Sequence, residues 1–454
     1  MAFDTSVSGI LAASGDLGII GNNIANASTT GFKQSRGEFT DIYASSLLGT
    51  SGTAIGQGVK LNSVTQDFSQ GNIEFTNNSL DLAINGNGFF RMSNDGVATY
   101  TRAGSFQLDR DGYLVNASNM KLQGFPIDEA GNITGELGDI QLSTQLIDPK
   151  FTTEVGITAN LDSRLGQPDQ GWTGNFNAFG DPTAAPPVAP TSPNPNQFNS
   201  STSMTVYDGF GNPHVLSIYF RKEDPDANAN PVIGDNTWSV KTLIDGVEVN
   251  GTLSGGETYL TFQDNGKLDT TAAAAVVAND GSFEGPAELT IAGWTPLTAG
   301  GVGNGSPDQT FKINLSTLTQ FGADFAVGSI TQDGYATGQL RGVEIDSSGV
   351  LFTRYTNGQS RQQSQIALAS FTNPNGLQPV GDTNFVETFS AGQATITTPG
   401  LSGTGALQSG ALEGSNVEIT SQLVKMIIAQ RNFQANAQMI QTEDAVTQTV
   451  INLR

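Results

Sequence analysis

Residues 413–454 read EGSNVEITSQLVKMIIAQRNFQANAQMIQTEDAVTQTVINLR, and they decide the architecture. Ile419, Leu423, Met426, Phe433, Ala437, Ile440 and Ile451 recur at the three-and-four spacing of a helical seam, with Gln430, Asp444 and Thr447 as polar interruptions. A second stripe runs through Val424, Ile428, Ala435, Val446 and Val450. Ser415 reads as an N-cap, and Glu418 three residues on completes a capping box. One long helix with two apolar stripes needs two neighbours, because a single partner helix covers only one seam.

The first neighbour lies at the other end of the chain. Phe3, Val7, Ile10, Leu11, Leu17, Ile20 and Ile24 are spaced by threes, fours and their multiples, which predicts an amphipathic helix over about residues 5–27. Asp4 or Ser6 caps its start. NNIANASTTGFK (22–33) breaks it: Asn22, Asn23 and Asn26 stop or cap the helix, and Gly31 lets the chain turn. The seam is expected to join Ile10, Leu17, Ile20 and Ile24 to Leu423, Met426, Phe433, Ile440 and Ile451. Gln430 and Arg431 are candidates for hydrogen bonds between subunits. The second stripe then calls for another copy of the chain, and both ends are expected to order fully only when many copies pack together.

Between the ends the pattern is β. In NGFFRMSNDGVATYTRAGSFQLDRDGYLVNASNMKLQGFPIDEAGNI, strand-like runs are separated by Asp95-Gly96, Asp111-Gly112 and a turn from Asp128 to Asn132. Asp-Gly between apolar runs signals a hairpin, since glycine accepts the positive φ that such turns require. Residues 150–330 hold further strands, among them SMTVYDGFGNPHVLSIYFRK and TWSVKTLIDGVEV. The stretch DPTAAPPVAPTSPNPNQFNS interrupts them with six of the chain's 18 prolines, as a surface excursion. Strand alternation returns after 330. Residues 31–70 and 372–412 show no period and are expected to be irregular.

Composition excludes much chemistry. The 454 residues contain no cysteine, so disulfides, thiolate metal sites and cysteine nucleophiles are absent. The net charge of −23 is concentrated in the middle: 15 acidic against 8 basic residues in 1–150, 20 against 6 in 151–340, and 8 against 6 in 341–454. Such acidity disfavours nucleic acid and anionic membrane surfaces as partners. No apolar run is long enough to cross a membrane as a helix. The N-terminus lacks the basic region of a cleaved secretory signal, the first lysine being Lys33. The lone histidine, His214, follows a turn and reads as structural. No GxSxG, HExxH, GxxxxGK[ST] or GxGxxG motif occurs. Asp109 and Asp111 in DRDGYL lack the remaining ligand positions of a calcium loop, so the hairpin accounts for them. No catalytic residue, metal or cofactor is expected.

The order helix, irregular, β, outer β, β, irregular, helix is close to a palindrome. The expected fold class is mainly β with α-helical termini, arranged as nested discontinuous domains. A terminal helical domain takes 1–30 with 413–454, an irregular connector 31–70 with 372–412, and an inner β-domain 71–149 with 330–371. An outer β insertion occupies 150–329.

Two sets of residues resemble the bacterial flagellar rod and hook family. NNIANASTTGFKQSR (22–36) with LEGSNVEITSQLVKMIIAQRNFQANAQMIQTEDAVTQTVINLR (412–454) is similar to its paired ends, and NGNGFFRMS, YTRAGSFQLDRDGYLVN and LQGFP within 85–126 are similar to its shared β-domain. The insertion of some 180 residues points to the hook-type members. The resemblance implies a non-enzymatic subunit that self-assembles into a helical homopolymer, a flexible curved tube acting as a universal joint. It also implies export by the flagellar type III apparatus without a cleaved signal peptide and a place at the cell surface. The implied partners are rod proteins, hook–filament junction proteins and a hook cap during assembly, with no nucleic acid and no membrane insertion. A distal-rod-type axial protein is the nearest rival. A secreted β-rich carbohydrate-active enzyme would need a carboxylate pair in a cleft, and a surface adhesin would leave the helical ends unexplained.

Overall fold

A computed structural model of the chain describes residues 2–42, 56–94, 96–128, 131–173, 176–180, 189–226, 235–249, 258–269 and 288–452. The chain divides into two units, Met1–Gln145 with Leu340–Tyr355 and Gln359–Arg454, and Leu146–Gln339 with Thr356–Gly358.

In the first unit, helix α1 (Ala2–Ala25) and helix α2 (Ile419–Asn452) carry the two chain ends. The rest is antiparallel β-structure woven from both halves of the chain. Its main sheet runs in the order Leu340–Ile345, Val350–Tyr355, Ser360–Ile366, Lys121–Pro126, Phe89–Asn94, Val97–Thr101, Asn384–Val386, Gln378–Gly381. The halves meet where Gln365 pairs with Phe125, and where Phe385 pairs with Tyr100. Nearer the ends, Leu407 pairs with Ile84 and Glu413 with Ile73. The strand Phe89–Asn94 is buried on both faces, so it feeds two cores. Phe90 and Met92 pack with Leu114, Leu122, Ile366 and Leu407, while Phe89 packs with Tyr100, Leu377 and Phe385.

The turns use the expected chemistry. Gly112 has φ +84°, and the Asp109 carboxylate accepts the backbone N–H groups of Asp111 and Tyr113 at 2.9 and 2.7 Å. Asp109 therefore closes its own hairpin. Asp95 lies outside the described residues.

Two expectations need correction. The segment 31–70 is not irregular, since Ser35–Asp41 and Val59–Gln66 form an antiparallel ribbon with a bulge at Glu38/Phe39. No residue of that ribbon is fully buried, so it lacks the buried apolar alternation that marks a strand in sequence. Residues 43–55, most of the glycine-rich connector, lie outside the described residues. The segment 372–412 likewise holds strands, Gln378–Gly381, Asn384–Val386, Thr395–Thr397, Ala406–Ser409 and Ala411–Glu413. At three or four residues each they are too short to show a period.

The second unit has two sheets around one core. In the mixed sheet, Glu154–Asp162 runs parallel to Gln309–Asn314 and Thr319–Phe321 and antiparallel to Ala326–Gln332. The other sheet is antiparallel, with Pro213–Lys222 between Ser200–Tyr207 and Thr237–Ile244. Val155, Ile157 and Leu161 from the first sheet meet Leu216, Ile218, Phe220, Trp238 and Val240 from the second. Thr237–Ile244 is buried along its whole length, with Trp172 and Phe176 against its outer side. There Trp172 Nε1 donates to Ser239 Oγ at 2.8 Å, Lys241 pairs with Glu248 at 2.6 Å, and Gln197 Nε2 donates to the Gly171 carbonyl. Residues 181–188 of the proline-rich excursion lie outside the described residues.

His214 is buried between two carboxylates. Its Nδ1 lies 2.6 Å from Asp245 and its Nε2 3.4 Å from Asp208, with the Trp294 ring edge-on to the imidazole. Burial alone pulls its pKa down, but hydrogen bonds and charge from Asp245 and Asp208 outweigh that and raise it. Asp245 itself sits at φ +53° in the Asp245-Gly246 hairpin turn, so the imidazole ties two hairpins together.

Candidate assembly interface

The helical ends lie antiparallel. Gly9 near the start of α1 faces Asn436, and Asn23 near its end faces Gln422. Between these rungs Asp16 lies near Lys425: burial lifts the Asp16 carboxyl pKa, and the Lys425 charge opposes the lift.

On α1 the covered face contains Ser6, Ala13, Ile20 and Asn23. Val7, Ile10, Leu17 and Ile24 are half-buried, whereas Phe3 leaves about half its surface in solvent. On α2 the covered face contains Gln422, Met426, Ala429, Asn436, Ala437, Ile440 and Glu443, with Phe433 at its margin. The expected pairing is thus corrected at several positions. Ile419, Leu423 and Ile451 are 51%, 46% and 65% exposed, and Gln430 and Arg431 are exposed as well. Small and polar side chains at Gln422, Ala429 and Asn436 let the helices approach closely, which rotates the larger apolar side chains outward. A reading that follows only apolar residues finds Met426, Ala437 and Ile440 on the covered face and misses Gln422, Ala429 and Asn436.

The helix ends are anchored by a buried ionic node that sequence reasoning missed. The Glu413 carboxylate accepts from Lys33 Nζ at 2.6 Å, Arg102 Nη1 at 3.1 Å and the Gly71 N–H at 2.9 Å. Lys33 also donates to the Ser69 carbonyl at 2.6 Å, and the Glu413 carbonyl accepts the Gly31 N–H at 2.8 Å. Burial depresses the Lys33 pKa against the charge of Glu413, and it depresses Arg102 in the same way. One carboxylate thereby joins the segment after α1, the β-structure and the segment before α2. The available signal was faint: isolated charges in GFK and LEG, within a chain poor in charge.

The asparagines act as ties more than as stops. Asn23 lies inside α1 and exchanges two hydrogen bonds with the Ser35 backbone, both at 2.8 Å. Asn26 closes the helix end through its N–H to the Asn22 carbonyl at 3.1 Å, and its side chain donates to the same carbonyl at 2.9 Å; Asn22 is exposed. Asn416 accepts from the Gln34 N–H at 2.8 Å and donates to the Asp67 carbonyl. Because α2 begins at Ile419, Ser415 lies in the preceding turn and accepts from the Val417 N–H, while the Glu418 carbonyl accepts the Gln422 N–H. Gly31 has φ +70°, and a Cβ there would lie 2.4 Å from the Ala103 nitrogen.

Among the described residues this arrangement leaves apolar surface of α2 without a partner. Ile419, Leu423, Val424, Ile427, Ile428, Met439, Val446 and Ile451 are all 46–65% exposed on α2. Exposed apolar side chains in that number along one helix mark an interaction surface.

Four family models match the chain in order: "Flagella basal body rod protein" over residues 3–33, "Flagellar hook protein FlgE/F/G D1 domain" over 83–160, "Flagellar basal body protein FlaE D2 domain" over 175–335, and "Flagellar basal body rod FlgEFG protein C-terminal" over 408–453. The sequence is 36% identical to flagellar hook protein FlgE of Escherichia coli (strain K12), covering 100% of both chains. It is 34% identical to flagellar hook protein FlgE of Treponema pallidum (strain Nichols), covering 99% of this chain and 98% of that one. Among solved structures, the crystal structure of Helicobacter pylori flagellar hook protein FlgE2 aligns over 75% of this chain and 100% of its own, with a TM-score of 0.50 at 16% identity. That likeness concerns the fold.

Proposed function

The chain belongs to the flagellar hook protein family, and we propose that its α1–α2 pair forms the inner wall of a flexible, curved homopolymer that passes motor torque to the filament. It is a structural subunit of the hook. Membership implies a non-enzymatic role, self-polymerisation, flagellar partners and a place in the exported flagellar hook. No described helix is long and apolar enough to cross a membrane.

The observation that carries the proposal is the exposed apolar face of α2. Burying it against neighbouring copies gives the polymer its cohesion, since burial contributes roughly 25 cal/mol per Å². The contact is heterologous, and repeated heterologous contacts generate a helical array. Ile419, Leu423 and Ile451 of α2 and Phe3 of α1 belong to the contact between subunits, with Gln430 and Arg431 hydrogen-bonding beside them. The second unit holds most of the net negative charge. Contacts made by such a surface are polar and wet, so neighbours slide past one another as the bent tube rotates. The helical ends, 1–30 with 413–454, serve as the layer around the channel. Export uses the flagellar type III apparatus. The polymer joins rod proteins at one end and hook–filament junction proteins at the other, and a hook cap attends its growth.

Electron microscopy under polymerising conditions tests this reading. The natural chain is expected to form curved tubes, and Leu423→Asp with Ile428→Asp to form none while both units stay folded. Straight rods would favour a rod role, and tubes from the double variant would remove the proposed interface.

A further inference from the structure

The α2 side chains that α1 covers most completely are not its large apolar ones. Gln422 and Ala429 are each 2% exposed, and Asn436 lies against Gly9 so closely that a Cβ on Gly9 would fall 2.6 Å from the Asn436 amide. These three residues recur every seventh position in one column, beside a column of Met426, Phe433 and Ile440. Gln422 is bracketed by two other amides. Its Nε2 donates to Gln34 Oε1 at 3.0 Å, and its Oε1 lies 3.5 Å from Asn23 Nδ2. Asn23 is itself fixed to the Ser35 backbone.

A heptad pattern alone permits slippage. If α2 were drawn seven residues along α1, away from the Glu413 anchor, Ala429 would replace Asn436 against Gly9. Met426, Phe433 and Ile440 would exchange places within their column at little loss. Residues 414–418 are not helical, so such a movement would break the Asn416 hydrogen bonds to Gln34 and Asp67 without unwinding α2. Gln422, however, would leave Gln34 and Asn23, and buried amides would lose their partners. A polar residue at a core position of a helix pair selects one register at some expense of stability.

We propose that the contacts of Gln422 with Gln34 and with Asn23 are register pins of the α1–α2 pair, choosing one axial alignment among those the heptad repeat allows. The pair then bears axial load without slipping as the tube bends. This rests on the assembly reading above and names what keeps its helices in step.

The chain has no cysteine, so engineered pairs report register directly. Gly9→Cys with Asn436→Cys reports the observed alignment, and Gly9→Cys with Ala429→Cys reports a one-heptad slip. Disulfide yield is measured in the full chain, free and polymerised, with electron microscopy of the same samples. With Gln422 present, the first pair is expected to exceed the second by about tenfold. Gln422→Leu, and independently Gln34→Leu, which leaves α2 unaltered, are expected to bring the yields within about threefold. Tubes combined with an unchanged ratio in both variants would overturn the pins alone. A shifted ratio without tubes in any sample would support the pins and remove the assembly reading.

Discussion

Lys33 and Glu413 stand 380 residues apart in sequence and 2.6 Å apart in space, with neither side chain exposed. Arg102 shares the same carboxylate. Breaking a buried ion pair from one side leaves uncompensated charge in a poorly polarisable interior, which is usually worse than having no charges there. Glu413→Gln is therefore expected to destabilise the first unit by roughly 3–5 kcal/mol. Replacing all three charges together, as Lys33→Met, Arg102→Met and Glu413→Leu, is expected to recover most of that loss. Urea unfolding followed by tyrosine and tryptophan fluorescence, with the second unit as internal reference, measures both.

Gly31 permits the turn that brings Lys33 to the node. Its positive φ and the 2.4 Å approach to the Ala103 backbone both exclude a side chain. Gly31→Ala is expected to destabilise the first unit by more than about 1 kcal/mol and to lower the thermal midpoint. Gly18→Ala, at a helical position with open space around it, is expected to be neutral or stabilising.

The second unit should lose stability at both ends of the pH range. His214 has a raised pKa in the folded state, so its contribution is complete below the unfolded value of about 6.5 and fades as pH rises through the folded value. Asp333 runs the other way. Burial alone would raise its pKa, but hydrogen bonds from Lys150, Thr153 and Glu154 outweigh that and hold it well below the ordinary range. Its contribution is present above about pH 4 and is lost as pH falls through the folded value. Denaturant midpoints measured across pH should show His214→Gln removing the decline above neutrality and Asp333→Asn weakening the decline in acid. An unchanged alkaline limb in His214→Gln would contradict the two-carboxylate account.

The helices comprise 24 and 34 residues, yet large apolar side chains along α2 stay exposed among the described residues. Dilute monomer is expected to show less helix by circular dichroism than these lengths imply, with helicity rising on polymerisation. Deleting 1–30 and 414–454 together should leave folded β-structure and no tubes. High helicity in a stable monomer would contradict the first expectation, and tube formation by the truncated chain the second.

The sequence by itself determined the element types and their nested order. Helical spacing over dozens of residues and Asp-Gly turns between apolar runs are local signals, each produced by backbone geometry within a few residues. That is why both terminal helices and the β character between them could be read directly. Strands of three or four residues, and a ribbon with no fully buried residue, carry no such period and do not stand out in the sequence.

Only the tertiary structure decided which column of α2 meets α1, because close approach at Gly9 and Asn436 depends on how two distant segments dock. It also decided that Glu413, Lys33 and Arg102 share one site. Charges brought together across hundreds of residues leave no mark in local composition; their pairing follows from strand register and from a turn that glycine alone accepts.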